Sequence, residues 1–182
     1  MDRTMAQLAG EFEFDFALGG INTDSMRPVN EFARARLADV WRRVTEVTGA
    51  TFGPGLPSGD FIYNSTRACV AVAVVRELLG RPPFEYLQRL QQRFFLGGED
   101  ITATSILAAE AAAAGVDLSD FSERVRSPQT LQRVRTGFAV AKSYGTAALP
   151  SVLIEVQGTR RLVAGGYIDA ATLSETLHAF IY

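Results

Sequence analysis

Two residue types that most often do chemistry each occur once in the 182 residues: Cys69 and His178. One cysteine allows no intrachain disulfide, no CxxC and no cysteine-rich zinc site, and one histidine allows no His-paired metal motif. Cys69 stands among Ala68, Val70, Ala71 and Val72, with Arg67 the only basic neighbour. That setting suits a small packing residue better than a thiol of lowered pKa. His178 has Glu175 three residues earlier on the same expected helix, but a dyad needs a nucleophile and none is evident. It reads as a surface histidine near a helix C-terminus, where its positive form is mildly favoured. Gly19-Gly20 and Gly165-Gly166 fit neither GxGxxG nor GxxxxGK and read as strand ends. Glu99-Asp100 precedes a helix and suggests capping rather than metal binding. Arg34, Arg36, Arg42 and Arg43 mark the wet face of a helix, while Trp41, Phe32 and Phe94 read as core.

The remaining chemical interest lies in Tyr144-Gly145-Thr146-Ala147-Ala148-Leu149-Pro150-Ser151, which leads into the apolar run Val152–Val156. Gly145 suits the left-handed C′ position that ends a helix. Pro150 cannot donate to a sheet ladder, so it belongs at the first residue of a strand. Local sequence by itself favours a trans bond before it.

The elements that position these residues can be placed by periodicity. Residues 1–9 suit the end of a helix stopped by Gly10. Phe12, Phe14, Phe16 and Leu18 alternate with Glu11, Glu13, Asp15 and Ala17, which predicts an edge strand over 12–18. From Asn30 the period becomes helical, with Phe32, Leu37, Val40, Trp41, Val44 and Val47 as the apolar stripe, ending at Gly49. Residues 50–60 read as a loop. Helices are predicted over Thr66–Leu79, Phe84–Phe95, Ala103–Ala114 (N-cap Thr102), from Asp117 through Val125, and from Ser127-Pro128 to Tyr144. A hairpin of strands 151–156 and 160–164 follows, and then a helix capped by Asp169 that carries Leu173, Leu177 and Phe180.

Composition is ordinary for a globular protein, 47% hydrophobic and 21% charged. The net charge of -2 gives no basic field for nucleic acid. No apolar run is long enough to span a bilayer, and no apolar signal core opens the chain, so the cytoplasm is the expected location.

Three stretches carry a resemblance: Ile62-Tyr63-Asn64-Ser65-Thr66-Arg67-Ala68-Cys69-Val70-Ala71-Val72, then Tyr86-Leu87-Gln88-Arg89-Leu90-Gln91-Gln92-Arg93-Phe94-Phe95, then Gly98-Glu99-Asp100-Ile101-Thr102. Together with Leu18-Gly19-Gly20 and Leu149-Pro150-Ser151 they resemble the DsbA family, in particular the FrnE-like group of protein-disulfide isomerases. The resemblance implies an α/β, thioredoxin-like (DsbA-type) fold with a large helical insertion and its first strand missing. Residues 1–28 and 145–182 would form a truncated thioredoxin-like domain, and 29–144 the insertion. It also implies a cis bond before Pro150, with Leu149 presenting its backbone to an extended peptide, so Leu149 and Pro150 are the expected peptide-binding residues.

One departure matters. Family members carry a strand and a CxxC before the point where the match begins, and this sequence has neither. The implied activity, thiol-disulfide exchange on protein or peptide thiols and disulfides, is therefore expected to be absent from the chain as it stands, with no catalytic residue, no cofactor and no metal. Two alternatives stand beside it. One is a non-catalytic peptide-binding module, and the other is an enzyme resembling the glutathione-dependent 2-hydroxychromene-2-carboxylate isomerases. Neither nucleic acid nor membrane is an expected partner. In the family's sheet the missing strand lies between the counterparts of 12–18 and 151–156. Its loss would leave an unpaired edge, which predicts a homodimer whose interface includes residues 1–20.

Overall fold

The computed structural model describes Leu8, residues 10–145 and residues 148–180. The chain divides into two compact units, one formed by Gly20–Arg135 and the other by the residues up to Gly19 together with those from Thr136 on. The expected helix end over 1–9 lies, apart from Leu8, outside the described residues.

The Gly20–Arg135 unit is helical: α1 (Glu31–Thr48), α2 (Thr66–Leu79), α3 (Phe84–Phe95), α4 (Thr104–Ala113), α5 (Leu118–Arg126) and the first turns of α6 (Pro128–Ser143). α1 begins where the Asn30 side chain accepts from the Ala33 amide, and it ends at left-handed Gly49. Trp41 is its buried residue and stacks on Phe52 at 5.1 Å, with Phe94 and Phe95 edge-on. Phe32 and Val47, expected in the stripe, are 78% and 69% exposed. Nine residues separate Phe32 from Trp41, about two and a half turns, which puts Phe32 on the opposite face. Arg34 also departs from the wet face. It is half-buried, and its guanidinium donates to the carbonyls of Val29, Pro57 and Gly59, tying the loop before α2 to α1.

α2 packs against α3, α4 and α5, so Ala68, Val70, Ala71, Val72, Val74 and Val75 are all buried. A helix with neighbours on several sides needs small residues on several sides. Tyr86, Leu90, Leu107 and Phe121 complete this core, and the Tyr86 hydroxyl donates to the Leu107 carbonyl. Thr102 does not cap α4. Its amide and hydroxyl both bind the Asp100 carboxylate, and the helix starts two residues later behind Ala103. The Asp side chain closes a tight local turn before the helix can begin. Asp117 caps α5 as expected, accepting from Ser119 and Asp120.

In the other unit β1 (Ser151–Val156) pairs antiparallel with β2 (Thr159–Gly165). Gln157 and Gly158 both have positive φ, the two-residue hairpin geometry that matches strand twist. The register jumps so that Val152 faces Ala164 but Leu153 faces Leu162, a bulge at Val163. α7 (Ala170–His178) begins at Asp169, whose carboxylate accepts from the amides of Ala171 and Thr172. Leu173 and Leu177 of α7 bury against Ile154 and Leu8, with Phe12, Phe14, Val152 and Val163 around them.

The strand expected over 12–18 does not form. Phe12 makes a single bridge and residues 13–20 belong to no strand. Alternation sets which side chains face the core, and Phe12 and Phe14 do pack there. A ladder also needs a neighbouring strand, and among the described residues the sheet consists of β1 and β2 alone.

Candidate functional site

The junction between α6 and β1 places Leu149 and Pro150. Gly145 is left-handed, as the helix stop requires. The Leu149–Pro150 peptide bond is cis, as the family resemblance implies and against the local preference. The Pro150 carbonyl accepts from the Gly166 amide at 2.9 Å, and the Ser151 hydroxyl donates to the Ala148 carbonyl at 2.6 Å. These two bonds fix the backbone on either side of Leu149. Leu149 itself is 56% exposed, and among the described residues neither its N–H nor its C=O has a hydrogen-bond partner. Its side chain rests on Gly19: a Cβ there would lie 3.0 Å from a Leu149 methyl. Glycine at 19 thus lets the 10–19 stretch pass directly beneath Leu149. The result is an exposed residue next to β1 whose backbone donor and acceptor have no partner among the described residues. That is a surface on which another extended chain can pair.

Cys69 stands in the first turn of α2, half-buried, its sulfur 3.7 Å from the Ser65 hydroxyl. Burial pushes its thiol pKa up, outweighing the Ser65 hydroxyl and the Gly20 backbone, so the thiolate is disfavoured. The Ser65 hydroxyl is itself engaged with Ile21, accepting from its amide at 2.7 Å. Glu99 and Asp100 separate: Glu99 pairs with Arg93 at 2.8 Å, and Asp100 holds the turn described above. Among the described residues no group of three or more His, Cys, Asp or Glu side chains could hold a metal ion.

His178 pairs not with Glu175 but with Glu11. Its Nε2 lies 2.8 Å from the Glu11 carboxylate, and its Nδ1 lies 2.8 Å from the Ser174 carbonyl. Both contacts, Glu11 first, raise the imidazole pKa. Sequence reasoning missed a second ionic cluster. Glu110, 7% exposed, receives Arg89 at 2.8 Å and Arg93 at 2.5 Å. Glu110 sits in an alanine-rich stretch, and the two arginines are four apart on α3. That spacing puts them on one helix face, the one signal that could have found the cluster.

No protein-family profile matches the chain. Among curated proteins it is 27% identical over 120 residues to the ClpXP adapter protein SpxH of Halalkalibacterium halodurans, covering 65% of this chain and 39% of that one. The chain thus matches well under half the length of that relative. Among solved structures, one titled "putative protein disulfide isomerase" from Nitrosomonas europaea superposes with a TM-score of 0.78 at 27% identity, over 90% of this chain and 78% of the other. The cytosolic disulfide reductase DsbM of Pseudomonas aeruginosa superposes with a TM-score of 0.77 over 98% and 88%, and at 20% identity it speaks for the fold alone. The chain is a DsbA-like thioredoxin-fold protein, with a single cysteine and no CxxC.

Proposed function

We propose that this chain is a non-catalytic peptide-binding module that takes up an extended segment of a partner protein by strand addition at Leu149-Pro150. The observation that carries the reading is the exposed Leu149 backbone, which has no hydrogen-bond partner among the described residues, held in place by the Gly166–Pro150 and Ser151–Ala148 bonds. The adapter named among its relatives, a protein whose name describes delivery rather than chemistry, supports a binding role. The Nitrosomonas structure, named for disulfide chemistry, supports a second reading, in which protein thiols or disulfides are what approaches this edge. Dithiol–disulfide exchange needs an accessible thiolate and a resolving partner, and Cys69 is a lone thiol with a raised pKa. The truncated thioredoxin-like domain of 1–28 and 145–182, the insertion of 29–144, and pairing of two copies through residues 1–20 belong to the same proposal. The proposed location is the cytoplasm.

The test is amide exchange at Leu149. A library of unfolded peptides is added, and protection of the Leu149 N–H should appear together with chemical-shift changes over residues 148–152. Binding that leaves Leu149 exchange unchanged overturns the reading. An insulin-reduction assay should show no turnover above that of Cys69→Ser, and turnover clearly above that control would favour the enzymatic reading.

A further inference from the structure

The stretch 8–14 is tied to α7 at two points of different chemistry. Leu8 is 2% exposed and lies with Ile154, Leu173 and Leu177, and Phe12 and Phe14 pack around them. Just outside this cluster, His178 bridges the Ser174 carbonyl and the Glu11 carboxylate, and the Phe12 ring meets the imidazole edge-on at 5.9 Å. A carbonyl and a carboxylate only accept hydrogen bonds. Satisfying both therefore requires a proton on each ring nitrogen, which is the imidazolium form. A neutral ring has one proton and leaves a lone pair facing an acceptor. Residues 13–20 belong to no strand, so no ladder ties the stretch down beyond Phe12.

We propose that His178 and Glu11 form a pH-sensitive clasp that steadies residues 10–14 against α7, tightest while the imidazole is protonated and loosened as it loses its proton. The clasp does not depend on the peptide-binding reading. Of the elements packed on α7, the 10–19 stretch brings Glu11, Glu13 and Asp15, β1 brings Glu155 and β2 brings Arg160 and Arg161, while α7 itself carries Glu175 behind its Asp169 cap. Among the described residues only Glu11 is in ion-pair range. Glu11 first and the Ser174 carbonyl second hold the imidazole above its ordinary value of about 6.5. A group raised in this way lends its full stabilisation below the unfolded value and loses it as pH rises through the folded one. The clasp is therefore tightest in mild acid and loosens toward alkaline pH, while the apolar contacts of Leu8, Phe12 and Phe14 do not titrate.

His178 is the single histidine, so its ring resonances titrate without overlap in NMR. The midpoint should lie above about 6.5 in the wild type and fall toward that value in Glu11→Gln. Hydrogen exchange of residues 10–14, corrected for its intrinsic pH dependence, should lose protection as pH passes the wild-type midpoint. In His178→Asn that step should vanish. A midpoint unmoved by Glu11→Gln, or exchange of 10–14 that ignores the titration, overturns the clasp. Glu11 is half-exposed, so Glu11→Gln carries the test by itself should His178→Asn fail to fold.

Discussion

The two units of this chain treat their polar groups in opposite ways. In the Gly20–Arg135 unit, polar groups are spent on holding structure. Glu110 is taken out of water and met by two guanidinium groups, Asn64 donates its side-chain amide to the carbonyls of Thr23 and Ser25, and Arg34 binds three carbonyls of neighbouring loops. In the unit that carries β1 and β2, the comparable ion pair, Glu155 with Arg160, is half-exposed on both sides, and the Leu149 backbone has no partner among the described residues. The contrast separates a scaffold that turns most of its buried polar groups onto its own structure, the Thr66 hydroxyl excepted, from an edge that can still make bonds. Binding surfaces are drawn from the parts of a protein that its own contacts leave incomplete.

The largest test of that contrast is a cavity in the scaffold. Phe121 is 1% exposed on α5, which packs against α2 and α4. Phe121→Ala should cost about 3–5 kcal/mol, because close-packed helices on several sides cannot collapse into the space. Chemical denaturation followed by helical circular dichroism measures it, and a loss below about 1 kcal/mol would mean the scaffold is looser than its burial implies. The matching change in the open unit is Leu173→Ala, at a residue 6% exposed under a two-stranded sheet. Its expected cost is nearer the lower end of the range for such truncations, about 2 kcal/mol, since fewer layers surround it. If the two losses came out equal, or in reverse order, the division into scaffold and open edge would fail.

How far the sequence foretold each unit follows the same divide. The helices of the scaffold were legible because their signals are local: the change to helical period at Asn30, Asp117 at the start of α5, Gly49 as a stop, and the apolar run of α2. Phe32 misled because it is apolar and close in sequence to the stripe, yet falls on the far side of the helix. The 12–18 strand misled for a different reason. Its alternation truly reports which side chains reach the core, as Phe12 and Phe14 do, but a ladder depends on a partner that no local pattern encodes. The candidate site shows both limits. Pro150 at a strand start was readable from its own chemistry. The cis bond and the role of Leu149 rested on resemblance, and the contact of Leu149 with Gly19, some 130 residues away, became visible only in the fold. Glu110 was hidden for the same reason, since its arginines sit on another helix.

The smallest expected effect concerns the ion pairs themselves. Arg160 reaches Glu155 at 2.5 Å across the hairpin, donates to the Tyr144 hydroxyl at 2.6 Å and lies 5.1 Å from that ring. On distances alone it looks as well anchored as the Glu110 cluster. The difference is water: the Arg160 and Glu155 side chains are each 51% exposed, whereas that of Glu110 is 9%. An exposed pair gains little Coulomb energy in high dielectric, is screened by salt within about 10 Å, and gives up side-chain freedom to hold its geometry. Arg160→Ala should therefore leave the denaturation midpoint unchanged within error at physiological salt, with a small loss emerging only at low ionic strength. Glu110→Ala takes from Arg89 and Arg93 their shared buried partner at the α3–α4 contact, leaving Arg93 only the half-exposed Glu99, and should lower the midpoint clearly at every salt concentration. A salt-independent loss for Arg160→Ala, comparable to that for Glu110→Ala, would show that the hairpin is as closed as the scaffold and would erase the distinction between them.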